Sequence, residues 1–172
     1  MAHNCYTLPL VDDPTDLHAL TNTLDYPMFV VTAAAGDERS GCLVGFLTQC
    51  SINPPRFLVC LSDTNHTTGV ADRARMLAVH VLGRDQLALA ELFGTTTGDD
   101  IDKFSRCSWE PGPDGTPLLT DAPGRFLGRV LAKHDLGDHV GFLVDVMEVS
   151  AGPPTPLLGF QQVRDLEPGH PA

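Results

Sequence analysis

The residues that could do chemistry are concentrated in one uncharged stretch. Residues 40–55 mix small, apolar and hydroxyl side chains, begin after a Gly36-Asp37 turn signal and end at Pro54-Pro55. Glycines in a strand allow a flat ligand to lie close to the backbone. The stretch therefore suits a planar ring that rests on main-chain groups, although the same pattern is also typical of a buried barrel strand that binds nothing.

A polar loop after the next apolar run could hold a phosphate group. Residues 63–68 are rich in hydroxyl groups and come directly before a predicted helix that ends near Ala74. The N–H groups at the start of a helix favour anions. The same residues could instead cap the helix, through Asn65 or Thr67, and the sequence leaves both interpretations open.

The composition limits the class of protein. The chain has 172 residues, which predicts one domain, and its 16 glycines and 14 prolines favour many short strands. A net charge of −11 argues against nucleic acid as a partner, because Lys and Arg hold phosphate backbones. We recognise no signal peptide and no apolar run long enough to span a membrane, so we expect a cytoplasmic protein without a membrane partner.

Several other kinds of site are not predicted. The seven histidines show no metal-ligand spacing, so we expect no metal site. The five cysteines form no C-x-x-C pair, and their odd number is typical of reduced thiols. The sequence lacks a G-x-G-x-x-G after a strand, a Walker A lysine motif and a G-x-S-x-G elbow, which argues against Rossmann, P-loop and serine hydrolase sites.

Hydrophobic periodicity predicts the elements that would position these residues. Strands are predicted at 28–35, 40–55, 56–62, 76–82, 125–134, 140–149 and 156–160, and helices from Thr15 or Asp16 to Tyr26, before Ala74, and after a cap at Asp85. Residues 94–100 are predicted to be a flexible loop. The mainly β pattern with a few helices fits a small closed barrel.

Alternation within the strands predicts which side chains share a face. In the second strand, Cys42, Val44 and Phe46 are expected to face one way. Leu43, Gly45 and Leu47 are expected to face the other way. His80, in the fourth strand, is predicted to be a hydrogen-bonded wall residue and not a catalyst.

Together these pieces resemble the flavin reductase-like family, whose members adopt the FMN-binding split β-barrel. The resemblance runs from about Tyr26 to Phe160 and rests on short motifs in a fixed order. These motifs are Pro27 to Thr32, Gly41 with Ser51-Ile52-Asn53-Pro54-Pro55, Cys60-Leu61-Ser62, Asn65-His66-Thr67, Gln86 to Phe93, Asp102-Lys103-Phe104, Gly115-Thr116-Pro117-Leu118, Gly137-Asp138-His139 and Pro156-Leu157-Leu158. The resemblance implies a six- to seven-stranded split barrel over residues 26–165, an arm with a short helix over 1–25 and a tail over 166–172.

The resemblance also implies a function and its residues. It implies a homodimeric NAD(P)H-dependent reductase that passes hydride from NADH or NADPH to FMN or FAD and supplies a partner monooxygenase. It places His139 at the catalytic position on the nicotinamide side. Cofactor contacts are implied for Arg39, Ser40, Gly41, Cys42, Leu43, Gly45, Phe46, Thr48, Ser51, Cys60, Leu61, Ser62, Asn65, His66, Thr67, Gly94 and Lys103.

The chemistry of such an enzyme asks little of acidic or basic side chains. Hydride transfer belongs to the two cofactors, so the protein has to hold two rings face to face. Many family members carry Asn or Ser where this chain has Gly45 and Phe46, so here only main-chain groups could hydrogen-bond the flavin edge at these positions. Two alternatives stay open: a split-barrel carrier or storage protein that binds flavin or haem without turnover, and an enzyme that keeps its flavin as a prosthetic group.

Overall fold

A computed structural model of the chain describes residues 14–96, 101–167 and 169, and antiparallel strands dominate it. The elements are α1 (Pro14–Thr21), β1 (Phe29–Ala35), β2 (Glu38–Val44), β3 (Leu47–Ser51), β4 (Arg56–Ser62), α2 (His66–Arg73), β5 (Met76–Val81), α3 (Leu87–Thr95), β6 (Trp109–Pro111), β7 (Pro117–Leu119), β8 (Gly124–Asp135) and β9 (His139–Ala151). Single 3-10 turns lie at Lys103–Arg106, Pro113–Gly115 and Phe160–Gln162. In the part of the chain that is described, no helix is long and apolar enough to cross a membrane.

Seven strands form one antiparallel sheet in the order β2-β1-β5-β8-β9-β4-β3. The sheet curls, because side chains from its two edge strands pack into the same apolar core. Cys42 of β2 and Leu47 of β3 meet Val59 of β4 and Phe142 of β9 in that core. Burying apolar side chains from both edges of the sheet stabilises a barrel-like closure.

The predicted strand over residues 40–55 is interrupted, and the prediction of one continuous strand is wrong. β2 and β3 are separated by Gly45 and Phe46. Cys42 and Val44 share the core face, but Phe46, predicted to face the same way, is 56% exposed. The chain turns at the break, where the Leu47 N–H donates to the Gly45 carbonyl over 3.0 Å, and Leu47 packs against the core in place of Phe46.

Two helices cover the sheet beside β2. α2 ends at Arg73, next to the predicted end at Ala74, whereas α3 differs in detail from the prediction. α2 packs against β1, β2 and β4, and α3 packs against β2 and β1. Gln86, not Asp85, precedes α3, and its side chain binds the Gly83 N–H and the Asp121 carbonyl instead of capping the helix. Gly94 belongs to α3 and not to a loop, while residues 97–100 of the predicted loop lie outside the described residues.

The helix at the start of the chain is shorter than predicted. α1 ends at Thr21, before the predicted end at Tyr26. Its leucine side chains find no core, since Leu17, Leu20 and Leu24 are 49%, 62% and 48% exposed. Short helices are marginal without tertiary packing on an apolar face, so the spacing of these leucines does not extend the helix.

The segment predicted as a last strand crosses two strand ends instead of running along one strand. It makes single bridges, from Gly159 to Pro27 and from Leu157 to Gly83. Its Leu158 accepts from the Met28 N–H over 2.8 Å and donates to the Leu82 carbonyl over 2.9 Å. The segment therefore ties the ends of β1 and β5 together, which a local sequence pattern does not reveal.

His80 confirms the prediction of a wall residue. It is fully buried in β5, with Nδ1 3.0 Å from the Val30 carbonyl and Nε2 3.0 Å from the Leu119 N–H. An N–H can only donate, so Nε2 accepts and Nδ1 carries the proton. Burial lowers the pKa of His80 to about 4, and the neutral imidazole links β1 to β7 across β5.

Candidate functional site

Two cavities share strand β2 as part of their walls. The apolar cavity, of about 400 Å³, is lined by Tyr26, Met28, Cys42, Leu43, Val44, Gly45, Phe46, Cys60, Leu61, Ser62, Asn65, His139 and Phe160. The polar cavity, of about 510 Å³, is lined by Asp37, Glu38, Arg39, Ser40, Gly41, His66, Ile101, Asp102, Lys103 and Phe104. Both volumes lie in the range of small-molecule sites.

Aromatic rings form much of the wall of the apolar cavity. Tyr26 and Phe160 are stacked, with ring centroids 4.9 Å apart and planes 14° apart. Across the cavity, the Phe46 ring lies 5.2 Å from the imidazole of His139. No Lys, Arg, Asp or Glu side chain lines this cavity among the described residues. Such walls suit a planar, apolar ring held by stacking.

Gly45 is required by the close approach of an aromatic ring. A Cβ atom at this position would lie 2.5 Å from Cε2 of Tyr26, so any side chain would displace the ring. The Asn or Ser expected here from the resemblance therefore has no room in this chain. Tyr26 supplies the wall that those side chains would otherwise supply.

His139 stands at the start of β9, where its backbone pairs with Ser62 at the end of β4. Its Nδ1 lies 2.7 Å from Oδ1 of Asp138. The hydrogen bond from His139 lowers the pKa of the Asp138 carboxyl group. The carboxylate fixes the imidazole at the cavity wall, an arrangement that suits stacking or hydrogen bonding to a ligand.

The loop before α2 is organised by capping, as one of the two interpretations predicted. The Asn65 side chain accepts from the Thr67 N–H over 2.9 Å. The Thr68 hydroxyl donates to the Ser62 carbonyl, which holds the loop to the end of β4. Ser62 and Asn65 still line the apolar cavity, so capping and ligand contact do not exclude each other at this loop.

Charged groups organise the polar cavity. The Glu38 carboxylate accepts from Nε2 of His66 over 3.0 Å and from the Arg73 guanidinium. The Arg73 hydrogen bond lowers the pKa of Glu38. His66 Nδ1 lies 3.2 Å from the Ser40 hydroxyl. This network holds the N-terminus of α2 to the beginning of β2.

Arg39 and Lys103 bring two cations to the polar cavity. Arg39 pairs with Asp102 over 2.8 Å, and its guanidinium lies 5.0 Å from the ring centroid of Trp109. Lys103 is only 5% exposed, and its Nζ donates to the carbonyls of Gly41 over 3.0 Å and Phe93 over 3.4 Å. Burial lowers the pKa of Lys103.

The structure thus divides the predicted cofactor residues into three groups. Nine of the predicted residues line the apolar cavity: Cys42, Leu43, Gly45, Phe46, Cys60, Leu61, Ser62, Asn65 and His139. Five line the polar cavity: Arg39, Ser40, Gly41, His66 and Lys103. Thr48, Ser51, Thr67 and Gly94 line neither cavity. The cofactor contacts of all three groups remain predictions.

The residues outside both cavities have other surroundings. Thr48 lies exposed on β3, and Ser51 ends that strand. Thr67 is buried against the Ser40 hydroxyl, 2.9 Å away. Gly94 faces Leu43, because a Cβ atom there would lie 3.0 Å from its side chain.

Sequence reasoning missed Tyr26 and Phe160 as site residues. The Tyr26-Pro27 pair predicts a helix end, and Phe160 falls in a segment predicted as a strand. Only their stacking across the fold reveals a role in the wall, and no local pattern encodes it. Glu38 and Asp37 of the polar cavity were also missed, although the charges of the β1–β2 turn were a usable signal.

The buried thiol and the acidic groups offer no further chemistry at the site. Burial raises the pKa of Cys42 to about 11, so its thiol is unreactive. Cys42, Cys50, Cys60 and Cys107 are free thiols. Within residues 14–96, 101–167 and 169, no three His, Cys, Asp or Glu side chains lie close enough together to hold a metal ion.

The sequence profile described as "Flavin reductase like domain" matches residues 21–166. The match spans most of the chain, so the protein belongs to the flavin reductase-like family. The family resemblance drawn from the short motifs is thereby confirmed.

Individual relatives agree with this family. The chain is 32% identical, over 74% of its length and 67% of the relative's, to the reductase component of 4-nitrophenol 4-monooxygenase/4-nitrocatechol 2-monooxygenase from Rhodococcus opacus. It is 30% identical to the FMN reductase (NADH) RutF of Methylorubrum extorquens, over 64% of this chain and 53% of the relative. The chain spans about one half to two thirds of the length of these relatives.

A solved structure confirms the fold. NADH:FAD oxidoreductase SgcE6 of Streptomyces globisporus C-1027 superposes with a TM-score of 0.75 at 27% identity, covering 85% of this chain and 88% of that one. The same oxidoreductase has also been solved in complex with NAD and FAD fragments. The predicted mainly β split barrel, with seven strands in its main sheet, is therefore correct.

Proposed function

We propose that this protein is an NAD(P)H-dependent flavin reductase that passes hydride from NADH or NADPH to FMN or FAD. The observation that carries the proposal is the apolar cavity. Its wall includes the segment from Cys42 to Phe46, which spans the end of β2 and the break after it. Family membership supports it, as do relatives named as NADH-dependent FMN reductase and as a monooxygenase reductase component.

The residues of the apolar cavity fit a flavin ring. Gly45 brings the backbone close to the ligand space, and the stacked pair Tyr26 and Phe160 closes one wall. When bound, the flavin would supply the hydride-accepting ring. The chain's own task is orientation, because holding two reactants in a productive geometry removes several kcal/mol, up to about 10, from a barrier.

The polar residues at the rim have distinct tasks in this proposal. Ser62 and Asn65 lie at one end of the cavity, where the flavin chain and its phosphate would meet hydroxyl, amide and helix N–H donors. His139, held by Asp138, would contact the nicotinamide ring and limit its orientation. No side chain needs to give or take a proton at the reacting atoms, since the transferred hydride carries both electrons.

We extend the proposal to the assembly and use of the protein. Apolar side chains are exposed on β9 and beside β3, with Met147, Val149 and Ile52 at 52%, 66% and 86% exposure. Large exposed apolar surfaces mark interaction sites, which supports a homodimer. The name of the Rhodococcus opacus relative supports delivery of reduced flavin to a partner monooxygenase. We place this delivery in the cytoplasm.

The proposal is tested by measuring NADH and NADPH oxidation with and without added FMN or FAD. Flavin-dependent loss of the near-ultraviolet absorbance of the reduced nicotinamide is expected. A purified protein that shows a flavin or haem spectrum but does not oxidise either nucleotide would instead support the carrier alternative. Oxidation by a retained flavin that only another acceptor stimulates would support a prosthetic-group enzyme.

A further inference from the structure

We propose that the Phe46 ring controls access to the nicotinamide side of the apolar cavity. Without a nucleotide the ring covers the imidazole of His139, and it turns away when a nicotinamide ring takes that place. The inference rests on the proposed function, which supplies the nicotinamide nucleotide as the ligand. The resemblance implies only a flavin contact for Phe46, and many family members carry Asn or Ser where this chain has Gly45 and Phe46.

The first argument is the position of the Phe46 ring in the wall of the apolar cavity. Its centroid lies 6.3 Å from that of Tyr26 and 5.2 Å from that of His139, with the planes tilted by 48° and 51°. Tyr26 belongs to the stacked aromatic wall, whereas His139 is the residue expected on the nicotinamide side. The Phe46 ring therefore lies where the proposed second ring would contact His139.

The second argument is the lack of space between Phe46 and His139. A ring held between two other rings requires about 7–8 Å between them, because carbon atoms in contact lie about 3.5–4.0 Å apart. The centroids of Phe46 and His139 are only 5.2 Å apart. A nicotinamide ring can therefore stack on this face of the imidazole only after Phe46 leaves it.

The third argument is that little of the remaining His139 surface is available. Only 24% of its side chain is exposed, and its Nδ1 atom lies 2.7 Å from the Asp138 carboxylate. Phe46 and His139 both line the apolar cavity, so the contact between them lies at the cavity wall. The surface that Phe46 covers is therefore the surface that a ligand in this cavity needs.

The fourth argument is that the Phe46 side chain can turn while its backbone is held. Its carbonyl accepts from the Cys60 N–H over 2.9 Å. The side chain is 56% exposed and belongs to none of the apolar clusters of the described residues, although Val44 and Leu47 on either side pack in one of them. Exposed side chains change rotamer within nanoseconds, so the contacts with His139 and Tyr26 are the main interactions that hold the ring in place.

Truncation of the ring should strengthen nicotinamide binding. A contact between two aromatic rings favours the covered position by about twofold to tenfold, and covering reduces the affinity by the fraction of time that the site is free. At saturating FMN, Phe46→Ala should therefore lower the KM for NADH by about threefold to tenfold, with kcat within about twofold of the wild type. Leu20→Ala, which truncates a side chain that is 62% exposed and lines neither cavity, should change neither value.

A double-mutant cycle tests whether the contact with His139 is what holds the ring. Phe46→Ala should lower the KM for NADH in the wild-type background, but not in the His139→Ala background, where the ring has no imidazole to cover. Titration of the FMN-loaded proteins with NAD⁺ gives the same comparison as dissociation constants, without turnover. Equal effects of Phe46→Ala in both backgrounds would overturn the proposal.

Fluorine NMR follows the ring itself and needs neither truncation nor catalysis. The protein is labelled with 4-fluorophenylalanine at its eight phenylalanines, and the Phe46 signal is the one missing in Phe46→Leu. Adding NAD⁺ to the FMN-loaded protein should shift this signal, because the ring leaves the imidazole. An unchanged Phe46 signal at saturating NAD⁺ would overturn the proposal.

The kinetic outcomes separate this inference from the proposed function. A raised KM for NADH in Phe46→Ala would mean that Phe46 stacks on the nicotinamide ring, and an unchanged KM would mean that it does not cover the site. Either result refutes the inference and leaves the reductase standing. A wild type that oxidises neither NADH nor NADPH with added flavin would refute the proposed function, and this inference would fail with it.

Discussion

The apolar and polar cavities use the same strand for opposite purposes. At the start of β2, Glu38 and Arg39 turn charge toward the polar cavity and are held by ion pairs. At the end of β2 and in the break that follows it, Val44 and Gly45 present an uncharged wall to the apolar cavity. One strand thus passes from a charged to a neutral environment within its seven residues.

The difference indicates how each cavity can select a ligand. In the apolar cavity, affinity depends on shape, because stacking walls and a missing Cβ leave a slot for a flat ring. In the polar cavity, recognition would depend on charge, because Lys103 is buried and has no carboxylate partner among the described residues. Substitutions should therefore affect the two cavities separately.

The largest expected effect acts on the frame that both cavities share. The pKa of His80 falls from 6.5 to about 4 on folding, so below pH 6.5 the unfolded chain takes up a proton that the folded chain does not. The free energy of unfolding should therefore decrease as the pH falls from 6.5 to 4, by up to about 3 kcal/mol. Denaturant titrations across this range measure it.

His80→Gln isolates this contribution. The variant cannot titrate, so its stability should depend less on pH between 6.5 and 4 than that of the wild type, although it is less stable at neutral pH. Flavin binding should be lost as the wild type unfolds. An unchanged pH dependence in His80→Gln would assign the acid sensitivity to carboxyl groups instead.

The next prediction separates the cavities. Gly45→Ala places a methyl group where the Tyr26 ring lies, so the ring must move and its stack on Phe160 must change. Flavin affinity should fall by about tenfold, and the free energy of unfolding should fall by about 1–3 kcal/mol. The polar cavity should keep its structure, since Tyr26 does not line it.

Gly69→Ala is the matched control. This glycine lies in α2 with no atom within 4 Å of an added Cβ, so alanine should stabilise the protein by about 0.5–1 kcal/mol through its helix preference. Flavin affinity should stay the same. An unchanged flavin affinity in Gly45→Ala, as in Gly69→Ala, would mean that the position of the Tyr26 ring does not shape the flavin site.

The contrast between the cavities also explains what the sequence could predict. Strands β1, β4, β5, β8 and β9 were predicted to within two residues at each end, because long apolar runs determine them. The buried role of His80 followed from its apolar strand. The break at Gly45 did not follow, because alternation continues through it in the sequence and only the packing of Tyr26 interrupts it.

The separation of the site into two cavities was equally hidden. Motif order placed Arg39, Gly41 and Phe46 in one group, since they are close in sequence. In the structure, Gly41 packs against α3, where an added Cβ would lie 2.8 Å from the Phe93 ring. Phe46 is turned outward after the break. Which neighbours share a cavity depends on long-range contacts that local patterns do not contain.

The smallest expected effect concerns the nicotinamide side of the apolar cavity. His139→Ala removes the imidazole that faces Phe46 while keeping the backbone pairing with Ser62. The KM for NADH should rise by about tenfold, equivalent to about 1.4 kcal/mol, because stacking and orientation of the nicotinamide ring are lost. Flavin affinity should stay within about twofold of the wild-type value. His134→Ala, at an exposed position on β8, should leave both unchanged. Steady-state kinetics and flavin titrations of the same preparations give the two values. An equal loss of nicotinamide and flavin binding would place His139 on the flavin itself, and the apolar cavity would then hold one ring instead of two.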